Sequence, residues 1–212
     1  MRATIVCLVS RVVFITALST IAVATATGQD LRLVTAAAEQ DAPTVQALLA
    51  EGVDVNTPRA DGATALLWAA HWDALDMVDL LLRASADVNT ADDHGVTPLA
   101  RAAENTSLSM VEQLLAAGAD ANAAQTSGLT PLMTAARTGS VTIVQTLLDH
   151  DAAVNAATVE TGGTALMWAL AARHTDIVRL LLDRGADPAQ STTAGFTPLM
   201  FAARSGDRAL AE

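Results

Sequence analysis

Apolar residues between Thr97 and Gly118 fall into two short stripes of helical spacing with a polar turn between them. Leu99, Ala102 and Ala103 stand at i, i+3 and i+4, and so do Val111, Leu114 and Leu115, so each stretch presents one apolar face. Ahead of the first stripe, Gly95 permits the positive φ of a tight turn and Thr97 can cap a helix. Pro98, at the first helical position, lacks only an amide that would be unpaired anyway. Behind the second stripe, Gly118 suits a left-handed helix terminus. The pattern predicts turn, helix, turn, helix, with small residues on the first helix letting the second pack close.

The same pattern recurs along the chain. Gly62, Gly95 and Gly128 are 33 residues apart, Gly162 follows after 34 and Gly195 after another 33. Two positions after each glycine stands a threonine: Thr64, Thr97, Thr130, Thr164 and Thr197. The next two residues read Ala65-Leu66, Pro98-Leu99, Pro131-Leu132, Ala165-Leu166 and Pro198-Leu199, and Val78, Val111, Val144 and Val178 lie 14 residues beyond their threonines. One such unit cannot bury its own leucines. Stacked units can, and each fully buried leucine contributes roughly 1.5–3 kcal/mol. The extra residue between Asn155 and Gly162 is expected in a turn, where insertion is tolerated.

The threonine-proline-leucine core, together with Ala102-Ala103, Leu114-Leu115, Gly118-Ala119-Asp120 and Asn122, resembles the ankyrin repeat over about residues 30–212. The resemblance implies an all-α solenoid of stacked helix-turn-helix units with turn tips on the concave side. It divides the chain into a degenerate N-terminal capping repeat at 27–56 and ankyrin repeats at 57–212, four full and one truncated. In the first unit Val45, Leu48, Leu49, Gly52, Asp54 and Asn56 match the second half of the repeat, and Asp41 can cap its second helix. Residues 195–212 stop as a second helix begins, which suggests a longer reading frame.

Departures from the family pattern carry their own expectations. Leu67, Ala100, Met133, Met167 and Met200 stand where the family often has a histidine that bonds neighbouring repeats, so apolar packing should replace that network, with the methionines as core filler. The glycine between the two helices is kept at Gly139 and Gly206 but replaced by Asp73, Thr106 and Arg173. Left-handed geometry at those three would cost roughly 1–2 kcal/mol each, unless the turns relax into another conformation.

The first 26 residues differ from the rest. Arg2 and Arg11 precede an uncharged apolar run, and Ala22, Ala24 and Ala26 supply small residues at signal-peptidase spacing. The stretch from Val12 to Thr27 is short for crossing roughly 30 Å of hydrocarbon, so a cleaved signal peptide is favoured over a signal anchor. Cys7 lies ahead of the apolar run, not behind it as in a lipoprotein. Cleavage leaves ten basic residues against 23 acidic ones, a net charge of −13. Such a chain repels phosphate backbones and anionic headgroups, so neither nucleic acid nor membrane insertion after cleavage is expected. It also lacks cysteine, which removes disulfides, thiolate zinc sites and cysteine nucleophiles. Export to the periplasm or outside the cell follows, with oligomeric state open.

No catalytic constellation is present: the chain has no phosphate cradle, no paired helical histidines with an intervening acid and no nucleophile elbow. No cofactor or metal is expected, because His94 beside Asp92 and Asp93 reads as a variable turn tip. The resemblance instead points to the turn tips and the exposed ends of the first helices. Carried onto this chain, these positions include Asp61, His71, Trp72, Asp93, His94, Glu104, Asn105, Leu129, Arg137, Thr138, Phe196 and Arg204. Trp72 and Phe196 are variable-position aromatics in a chain with 3% aromatic residues, and Trp72 is the favoured anchor for a protein partner. Trp68, Trp168 and Phe201 share a position expected to pack. The alternative to a non-catalytic binding module is an accessory arm of a larger enzyme or electron-transfer protein.

Overall fold

The computed structural model describes residues 30–205; the segment expected to be a signal peptide lies outside them. Six units stand in order: α1 (Arg32–Ala38) with α2 (Ala42–Ala50), α3 (Ala65–His71) with α4 (Leu75–Arg83), α5 (Pro98–Glu104) with α6 (Leu108–Ala116), α7 (Pro131–Thr138) with α8 (Val141–Asp149), α9 (Ala165–Ala172) with α10 (Thr175–Asp183), and finally α11 (Pro198–Ser205). Odd-numbered helices pack on one another in a continuous row, and each even-numbered helix packs behind its own odd partner. Among the described residues the extended structure amounts to an isolated bridge between Ala157 and Thr164. No described helix is long and apolar enough to cross a membrane.

The helices start where the repeated threonines stand. The hydroxyls of Thr64, Thr97, Thr130 and Thr164 accept from the amides of Leu67, Ala100, Met133 and Met167 at 3.2–3.4 Å. Asp41 caps α2 as expected, accepting from the Thr44 amide at 3.1 Å. Hydrogen bonds from the Thr44 side chain and backbone hold the Asp41 carboxyl below the usual carboxylate range. The first unit has a complete first helix, with Leu33, Val34, Ala36 and Ala37 buried, although its sequence matches the repeat only in its second half.

The alanine faces run through the centre: Ala69, Ala102, Ala103, Ala135, Ala136 and Ala169 are wholly buried. Their small size lets successive inner helices approach. The paired leucines are not equivalent, however. Leu81, Leu114, Leu147 and Leu181 are 0% exposed, whereas Leu115 is buried, Leu148 is half-buried and Leu182 is 42% exposed. The second leucine of each pair sits one position, about 100°, further round its helix, towards the rim of the stack.

Three expectations need correction or refinement. Asp73, Thr106 and Arg173 do adopt left-handed backbone, with φ of 54°, 56° and 64°, in the position that Gly139 fills at 92°. The turns have not relaxed, because the following helix must leave in the same direction in every repeat. Met133 and Met167 are core, but Met200 is 53% exposed, since no further helix covers α11 among the described residues. Finally, apolar side chains do replace the histidine position, yet polar links between repeats persist elsewhere. Asn89 Nδ2 donates to the Gly118 carbonyl at 3.1 Å while its Oδ1 accepts from the Asp120 amide at 2.8 Å. Asn56, Asn122 and Asn155 make the same pair of bonds to the following repeat.

Candidate functional site

The concave edge is built by the turn tips. Each tip is closed by a bond from its glycine amide, Gly95 to the Asp92 carbonyl at 2.8 Å and Gly128 to Gln125 at 2.8 Å. The inserted residue falls here, as expected: Gly162 bonds back to Thr158, one residue further than its equivalents. A single backbone bond then joins each tip to the next. Asp93 donates to Asp61, Thr126 to His94, Val159 to Ser127 and Thr193 to Thr161, all at 2.9–3.0 Å. Approach is so close that a Cβ on Gly128 would lie 2.7 Å from the Val159 amide nitrogen. The glycine therefore supplies both a positive φ and room for the neighbouring tip.

The sequence-predicted site residues divide according to what holds them. Asp61, Asp93 and His94 lie on exposed tips and contribute their backbone to this ladder. Leu129 is half-buried beside the next tip, its amide donating to Ser127 Oγ at 3.3 Å. Two others bond the carbonyl ends of preceding inner helices. Trp72 Nε1 donates to the Ala38 carbonyl at 3.0 Å, and Asn105 Nδ2 donates to those of Ala70 and His71 at 3.0 Å. His174, absent from the sequence-based set, does likewise, its Nε2 lying 3.2 Å from the Arg137 carbonyl. Such bonds span 34–37 residues and leave no local sequence signal.

Apart from Thr138, the remaining predicted residues are exposed. His71 meets the rings of Trp68 and Trp72 edge-on at 5.5 and 4.7 Å, and Trp72 itself is 43% exposed. Glu104 pairs with Arg101 at 2.9 Å. Arg137 is exposed, and Thr138 turns its hydroxyl back onto the Ala135 carbonyl at 3.2 Å. Phe196 stands edge-on to Phe201 at 6.4 Å and, with Met200 and Arg204, lines an apolar hollow of about 470 Å³.

A second hollow, of about 310 Å³, opens between the first two full tips and is lined by Asp61, Ala63, Leu67, Trp68, His71, Asp92, His94 and Arg101. Asp92 Oδ1 accepts from the amides of His94 and Val96, both at 2.9 Å, so that carboxylate shapes its own turn. No set of three or more metal-ligating side chains converges among the described residues. Trp68 and Trp168 are half-buried against the core, as their position led one to expect, but each buried indole N–H lacks an acceptor among the described residues.

A family model of ankyrin repeats, three copies long, matches residues 33–125, 101–192 and 162–212. The chain belongs to the ankyrin-repeat family. Ankyrin repeats generally mediate protein–protein interaction and are typically non-catalytic, and this ankyrin stack is all-helical with the turn, helix, turn, helix unit read from the sequence. No curated protein matches the chain.

Proposed function

We propose that this ankyrin stack is a non-catalytic module that holds a protein partner along its concave groove, in the periplasm or outside the cell. The observation that carries the reading is the row of mostly exposed tip and helix-end side chains on repeats whose tips are joined by the backbone ladder. A surface ordered in advance loses little freedom on binding, so more of its contact energy is retained as affinity. Trp72, half exposed and braced by His71, is the side chain best suited to anchor a partner.

Capture of the partner from a native periplasmic extract, followed by titration against variants, tests the reading. Trp72→Ala should weaken binding by at least about tenfold, roughly 1.4 kcal/mol, and Arg137→Ala by less. Gln113 and Gln145, on outer helices, should tolerate alanine. If those two govern affinity and Trp72 does not, the groove is not the binding surface. Export is tested separately: in a secreting host the mature N-terminus should fall between Thr25 and Asp30, and intact Met1 in the cytosolic fraction would exclude it.

A further inference from the structure

Trp68 and Trp168 occupy the same repeat position, three repeats apart, and share a half-buried ring with an acceptorless indole N–H. Their surroundings differ in charge. At Trp68 the adjoining tips supply Asp61 and Asp92, while at Trp168 the corresponding tip residues are Thr161 and Thr192. Asp61 and Asp92 each commit Oδ1 to amides of their own turns, at 3.1 and 2.9 Å, and their Oδ2 atoms have no partner among the described residues. Arg101, the one arginine lining this hollow, is already paired with Glu104. The cleft therefore holds two carboxylates that make no ion pair within the described residues, set against an aromatic wall.

That wall already attracts a guanidinium, because Arg59 Cζ lies 5.6 Å from the centre of the Trp68 ring. At about 310 Å³ the hollow is at the small end of the range for ligand sites, suited to one long side chain and not to a whole cofactor. We propose that this cleft receives an arginine side chain of the partner polypeptide, a proposal that rests on the groove being the partner surface. Its planar fork can lie against the open part of the indole, alongside Arg59, and present two donors to the carboxylates, which a point-charged ammonium cannot do. The chain's net charge of −11 steers such a partner inward.

The test uses the full chain labelled with 15N-tryptophan and, as probe, the blocked peptide acetyl-Gly-Arg-Gly-amide, with its neutral citrulline counterpart as control. Trp68→Phe assigns the reporting resonance. The arginine peptide should move the Trp68 indole signal in a saturable way, the citrulline peptide should not, and the Trp168 signal should stay still. Asp61→Asn and Asp92→Asn keep the oxygen that accepts from the backbone and remove the charge, so each should weaken the peptide by about tenfold. Equal binding of citrulline, indifference to both substitutions, or no movement of Trp68 at millimolar peptide would overturn the cleft. The groove reading would survive that result, since it is tested with the intact partner at Trp72. Peptide binding without any effect of Trp72→Ala on partner capture would support the cleft and remove Trp72 as the partner's anchor.

Discussion

Asn105 reaches from the end of α5 back to α3, its Nδ2 lying 3.0 Å from the carbonyl oxygens of both Ala70 and His71. A residue selected from the sequence as a groove contact thus also closes the joint between two repeats. Asn105→Ala should lower stability by about 1 kcal/mol, the net worth of an ordinary hydrogen bond, while Glu104→Ala beside it should change little. Denaturant midpoints of the two variants check this, and equal midpoints would show that the joint carries no weight.

Trp72 has the same double character, because its indole N–H bonds the Ala38 carbonyl while its ring is partly open to solvent. Trp72→Phe keeps an aromatic ring and removes the donor. We expect faster amide exchange within α1 by an amount corresponding to about 1 kcal/mol, with α7 to α10 unaffected. Uniform protection along the chain would mean that the bond does not couple the first two repeats. The same variant lets loss of binding at Trp72→Ala be separated from loosening of α1.

Left-handed backbone at Thr106 is costly because its side chain is β-branched. Thr106→Gly should therefore stabilise the protein by roughly 0.5–1 kcal/mol, after the strain relieved is reduced by the glycine's added freedom in the unfolded chain. Thermal or denaturant unfolding measures this directly. A destabilised variant would show that Thr106 is not strained.

Leu147 is 0% exposed and Leu148 is half-buried. Leu147→Ala should cost about 2–5 kcal/mol and Leu148→Ala less than about 2. The reverse order, read from unfolding curves, would place the core on the wrong face of α8.

Much of this architecture was legible because each repeat states its own plan. Thr97, Pro98 and Gly95 specify a turn and a helix start by local chemistry, and the 33-residue period supplies the same statement several times over. What could not be read is what depends on a neighbour. Alignment with Gly139 marked Thr106 as a candidate for positive φ, but whether the turn kept that geometry or relaxed could not be read, since the constraint comes from the direction of α6. The unequal burial of Leu147 and Leu148 depends on which part of α8 faces α7 and the neighbouring outer helices, which a bare pair of leucines does not encode. At the site, the outward face of Trp72 was visible as a variable aromatic, but its bond to Ala38 was not. Nor was the meeting of Asp61 and Asp92 beside Trp68, which requires two tips to be laid side by side.

Each inner tip, at Gly95, Gly128 and Gly162, offers its successor one carbonyl and its predecessor one amide, so the bonding partners of neighbouring tips are interchangeable. Duplicating or deleting one whole 33-residue stretch of coding sequence would leave each new junction with a matching donor and acceptor. The length of the groove is therefore open to heredity as a single discrete event, adjustable to the size of a partner without any compensating change elsewhere in the gene.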